Sequence, residues 1–78
     1  MQLDIVSPDQ NIFNGEATAV SFPGTEGSFG ILNDHAPMIA TLKKGTIKIT
    51  KEGNTEELIE VNGGVVEVLK NKVIVLAE

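Results

Sequence analysis

The run TIKITKEGNTEELIEV, residues 46–61, decides the fold. Ile47 and Ile49 alternate with Thr46, Lys48 and Thr50, the period-two pattern of a strand that is wet on one side and buried on the other. Glu52-Gly53-Asn54 then supplies turn residues, because Gly takes positive φ without steric cost and Asn tolerates it. Past the turn, Glu57, Ile59 and Val61 share one face and Leu58 and Glu60 the other. Two alternating runs joined by a short Gly-containing turn describe a β-hairpin.

The same grammar extends in both directions. Leu3 and Ile5 alternate with Gln2 and Asp4 until Ser7-Pro8-Asp9 breaks the strand, since Pro has no ladder donor and Asp favours turns. Ile12-Phe13 precedes Asn14-Gly15, which reads as a turn. A strand is expected across residues 16–22, with Thr18, Val20 and Phe22 on one face and Ala17 and Ala19 on the other. Pro23-Gly24 stops it, residues 29–32 form a short strand, Asn33-Asp34-His35 loops, and residues 37–42 resume extended structure before the Lys43-Lys44-Gly45 turn. Asn62-Gly63-Gly64 leads to a strand over residues 65–70, and Asn71-Lys72 to one over residues 73–77. With no helical spacing and turn signals about every eight to twelve residues, the chain reads as a single all-β sandwich or flattened barrel, residues 1–78.

Composition narrows the function. A 78-residue chain buries only about 60–65% of its unfolded surface, so disulfides, a structural metal or a partner would help it. It has no cysteine and one histidine, and its carboxylates lack the spacing of a metal loop, so no cofactor is expected. Eleven acidic residues against six lysines and no arginine give a net charge of −5. Nucleic-acid binding asks for cationic surfaces and aromatic platforms, and this chain offers only Phe13, Phe22 and Phe29 as aromatics. Contact with anionic lipid is disfavoured on the same grounds. No run approaches the length of a membrane span, and the N-terminus lacks a signal-peptide pattern, so a cytoplasmic location without membrane insertion is expected.

Most of the unusual residues fall between Phe22 and Gly45. Asp34-His35 invites an acid–base reading, but adjacent side chains in an extended loop point apart, and Ser7, Ser21 and Ser28 occupy no nucleophile context. Gly24, Gly27 and Gly30 superficially resemble a phosphate loop, yet the spacing fits neither nucleotide fingerprint and Glu26 would repel phosphate. Lys43-Lys44 at a turn invites comparison with a lysine-modified carrier domain, without the flanking signature. A stand-alone β-sandwich binding or carrier domain is the alternative reading. Loops on a rigid β scaffold favour a protein–protein adaptor over an enzyme.

Ser7–Gly15 (SPDQNIFNG), Pro23–Leu32 (PGTEGSFGIL), His35-Ala36-Pro37, Leu42–Gly45 (LKKG), Asn62–Val68 (NGGVVEV) and Val73–Ala77 (VIVLA) together resemble the epsilon subunit of F-type ATP synthase, in register over essentially the whole chain. The resemblance implies a ten-stranded β-sandwich, the amino-terminal domain of a central-stalk subunit of the F1 sector. It implies a non-catalytic role, linking the gamma subunit to the c-ring and coupling proton transport to ATP synthesis at the cytoplasmic face of the bacterial inner membrane. Ser7, His35, Ala40 and Asn62 align with positions facing gamma, whose surface is expected to be apolar and opposite the c-ring loop. Glu26, Gly27 and Ser28 align with the loop that meets the c-ring. Two departures stand out: Ser28 replaces a frequent acid and Asn62 a frequent serine. The chain carries no counterpart of the family's C-terminal helical hairpin, which inhibits ATP hydrolysis, so the expectation is coupling without that self-inhibition.

Overall fold

The computed structural model describes all 78 residues, Met1–Glu78. Nine strands follow one another: β1 Gln2–Val6, β2 Asn11–Glu16, β3 Ala19–Phe22, β4 Phe29–Leu32, β5 Met38–Leu42, β6 Gly45–Thr50, β7 Glu56–Val61, β8 Gly64–Leu69 and β9 Lys72–Ala77. They form a five-stranded sheet in the order β2-β1-β9-β8-β5 and a four-stranded sheet in the order β4-β3-β6-β7. β1 and β9 pair in parallel in the middle of the larger sheet, and the other pairings are antiparallel. The fold is the all-β sandwich expected from the alternation, with no helix.

Alternation places one residue of each pair between the sheets. Leu3 and Ile5 of β1, Val66 and Val68 of β8, and Val73 and Val75 of β9 face Val20 and Phe22 of β3, Ile31 of β4, and Ile47 and Ile49 of β6. Sixteen hydrophobic residues make this core, and no polar or charged side chain is buried with them. The Phe22 and Phe29 rings pack at 5.4 Å, tilted by 31°. An apolar core with its backbone groups in ladders accounts for a domain without disulfides.

Three sequence expectations shift. Asn14-Gly15 is not a turn: both residues lie in β2, opposite Asp4 and Leu3. The reversal occurs earlier, where the Ser7 N–H donates to the Gln10 carbonyl at 2.9 Å, and continued pairing with β1 outweighs local turn preference. The single strand expected over residues 16–22 is divided, because the chain changes sheets at Ala17-Thr18. The Ala17 N–H still donates to Met1, while the Thr18 N–H donates to Thr50 of the other sheet. Nine strands form rather than ten. Gly24 and Leu42 make only an isolated bridge, since Pro23 brings no donor and the chain turns back at once through Gly27.

Candidate partner-binding faces

Because β-strand side chains alternate, the neighbours of the core residues point outward, and on the five-stranded sheet many of them are apolar. Val6, Leu76, Val65 and Thr41 stand directly opposite one another across β1, β9, β8 and β5. One step along lies a second row, Asp4, Ile74, Glu67 and Ile39. Ile39 is 72% exposed and Leu76 56%, with Val65 and Leu69 also exposed. Near Val6 and Leu76 the surface sinks into a depression of about 390 Å³, shared with Ser7, Pro8 and Val65. The first row carries no charge; Asp4 and Glu67 stand in the second, and Lys72 in the next, its Nζ 4.0 Å from Asp4 Oδ2. An apolar centre with polar groups at one side is the composition of a protein-binding patch.

The other sheet offers no equivalent. Its exposed Leu32 and Leu58 stand on the two edge strands, β4 and β7, separated by Ala19, Ser21, Lys48 and Thr50. Scattered single leucines are ordinary surface, whereas contiguous apolar rows on a closed sandwich mark a contact.

Ser7, His35, Ala40 and Asn62 are distributed around the apolar face. Ser7 follows β1 beside the depression, half-buried, in the tight turn to Gln10. Asn62 is exposed at the same end, just before Gly63-Gly64. His35 is at the far end, beyond Met38. Its loop is tied to the β8–β9 turn by the Asp34 N–H, which donates to Asn71 Oδ1 at 3.1 Å. His35 Nδ1 donates to the Ala36 carbonyl at 2.8 Å. The Asp34 carboxylate and the serine hydroxyls make no hydrogen bond to the ring, so the imidazole has no catalytic partner in place. Ala40 shares the side of β5 that carries Met38 and Leu42 and faces inward, opposite Val66. The outward residues on that strand are Ile39 and Thr41.

Glu26, Gly27 and Ser28 form an exposed turn between β3 and β4, at the end of the sandwich shared by Ser7 and Asn62. The turn is rigidly held. The Gly27 N–H donates to Gly24 at 3.1 Å and the Thr25 N–H to Thr41 at 3.0 Å, with the two threonine hydroxyls 2.7 Å apart. Gly27 has φ +121, and a Cβ on Gly24 would lie 2.5 Å from the Gly27 carbonyl oxygen. These glycines therefore shape a hairpin tip. Ala40, Ile39 and Thr41 line one depression of about 360 Å³ with Glu26 and Gly27. Ser7, Ala40 and Asn62 thus lie at the same end of the sandwich as the Glu26 turn, and His35 lies at the other.

Sequence reasoning foresaw an apolar patch without naming its residues. Its signal was present in residues 65–69 and 73–77 (VVEVL and VIVLA), which are apolar on both strand faces, more than a half-wet sheet needs.

Comparison with known proteins places this geometry in a family. The chain is 47% identical over its full length to the ATP synthase epsilon chain of Sulfurimonas denitrificans, of which it covers 60%. It is 44% identical to that of Dichelobacter nodosus, with 99% of this chain and 54% of the relative covered. For the epsilon chain of Chlorobium limicola the identity is 42%, with 99% of this chain and 88% of the relative covered. The chain thus spans little more than half the length of the first two relatives. Its fold matches a chain of the Euglena gracilis mitochondrial ATP synthase with a TM-score of 0.90 at 23% identity, covering 96% of this chain and 48% of that one. A central-stalk and c-ring structure from Tetrahymena thermophila matches with a TM-score of 0.81 at 20% identity, covering 97% and 61%. The family model of the ATP synthase Delta/Epsilon chain beta-sandwich domain matches residues 1–78, and the chain belongs to that family.

Proposed function

We propose that this chain acts as the β-sandwich of a rotor-stalk subunit of an F-type ATP synthase. Its apolar face packs on the gamma subunit and its Glu26 turn meets the polar loops of the c-ring. In this role it contributes no catalytic group. It transmits rotation between ring and stalk, coupling proton transport to ATP synthesis, and it sits peripherally at the cytoplasmic face of the membrane. The epsilon-chain names of the relatives support the reading. The observation that carries it is the pair of rows containing Val6, Leu76, Val65, Ile74 and Ile39 on the outside of the five-stranded sheet. Burying one such side chain contributes about 1.5–3 kcal/mol, so the whole patch is needed to exceed the cost of association. On this geometry Ile39, rather than Ala40, touches gamma, and Ser7, His35 and Asn62 form the rim.

Capture of gamma by the tagged chain at low and high salt tests this. An apolar contact is screened little, so gamma should stay bound as salt rises, while a Glu26-dependent contact with the c-ring should weaken. Release of gamma by moderate salt would count against the apolar face as its docking site.

A further inference from the structure

The dipeptide Asn-Gly occurs twice, at Asn14-Gly15 and Asn62-Gly63. In such a pair the glycine nitrogen can attack the asparagine side-chain carbonyl, because the following residue has no Cβ to obstruct ring closure. The two copies sit in opposite settings. Asn14 is in the β1–β2 ladder with its Nδ2 donating to Asp4 Oδ1 at 2.5 Å, and Gly15 is paired opposite Leu3. Cyclisation there needs the strand to leave its ladder. Asn62 is exposed between β7 and β8, outside both strands. Neither its side-chain amide nor the Gly63 N–H makes a hydrogen bond. The segment is held by one bond, from the Glu78 N–H to the Gly63 carbonyl at 3.1 Å, against a paired strand at Asn14.

We propose that Asn62 is a site of spontaneous deamidation. The Gly63 nitrogen forms a bond to Asn62 Cγ and gives up its proton, the Cγ–Nδ2 bond breaks, and ammonia leaves carrying that proton. Water then opens the succinimide. Opening at Cγ gives aspartate; opening at the main-chain carbonyl gives isoaspartate, with the backbone running through Cγ. No oxidant or reductant takes part.

Both products alter a constrained place. Each adds a negative charge to a chain already at −5, close to Glu78, whose carboxylate oxygen is 3.0 Å from where a Cβ on Gly63 would sit. Isoaspartate also lengthens the backbone just ahead of Gly64, whose Cβ position is 2.4 Å from the Leu76 carbonyl oxygen. The start of β8 has no slack to absorb the extra carbon. Where the proposed function holds, position 62 is on the gamma-facing rim, so unassembled chain would lose docking competence as it ages. That consequence rests on the functional reading; the chemistry does not.

Folded chain is held at mildly alkaline pH and sampled over time by peptide mapping with mass spectrometry, with enzymatic methyl transfer to mark isoaspartate. Conversion at Asn62 should exceed that at Asn14 by about tenfold or more, the suppression expected where reaction needs local opening. In urea-unfolded chain the two rates should converge, and Asn62→Gln should abolish isoaspartate at that position. Equal rates at both sites in the folded chain, or no conversion at Asn62, would overturn the proposal. Gamma capture by aged and fresh chain reads the docking consequence alone: weaker capture supports it and equal capture removes it.

Discussion

Gly64 has φ +148, and a Cβ there would sit 2.4 Å from the backbone oxygen of Leu76, so neither conformation nor space admits another residue. Gly64→Ala should cost about 2–3 kcal/mol in urea denaturation, from strain plus a displaced strand. Gly30 makes the contrast. It lies in β4 with the nearest atom 3.8 Å from its would-be Cβ, and Gly30→Ala should be neutral or stabilise by about 0.5–1 kcal/mol. Sequence alone did not separate these two glycines, because the atom that forbids a side chain at position 64 is twelve residues away and only the pairing brings it near. The same limit explains Asn14-Gly15, whose turn preference was legible while the ladder that overrides it was not. His35 was legible as a loop residue held by local hydrogen bonds. His35→Arg should leave the circular dichroism and melting temperature of the chain unchanged and lower its affinity for gamma; unaltered affinity would take His35 off the rim.

Strand alternation carried most of the element-scale reading. Residues 46–61 form the expected hairpin, with Gly53 at φ +84 and Asn54 at φ +63 in the turn. The parallel pairing of β1 with β9 was not legible, since alternation says which face is buried and nothing about which strand lies alongside. That pairing puts Ile5 at the centre of the core with no exposed surface. Ile5→Ala should therefore lower stability by about 2–5 kcal/mol, through lost burial and an unfilled cavity, measured as a shift of the denaturation midpoint. Leu76 follows Val75 in sequence and points the opposite way. Replacing it should barely alter stability, because an outward side chain on this sheet supports no core contact.

At the scale of the whole molecule, the sandwich divides its work between surfaces. The interior between the sheets is closed and apolar. The outer face of the five-stranded sheet is apolar and open. One end gathers the Glu26 turn, Ser7 and Asn62. The proposed coupling role asks for two contact regions of different chemistry, and the apolar face and the Glu26 turn are the two candidates. The family was legible because the loop motifs resemble it, whereas the apolar face became visible only when registers aligned residues from four strands. The most direct test compares gamma affinity, by calorimetry, for Leu76→Lys on the proposed face and Leu58→Lys on the opposite sheet, where Leu58 is 65% exposed. Leu76→Lys should weaken binding by about tenfold or more, as loss of a buried apolar anchor does, and Leu58→Lys should leave it unchanged. Loss of binding with Leu58→Lys and not with Leu76→Lys would contradict the account.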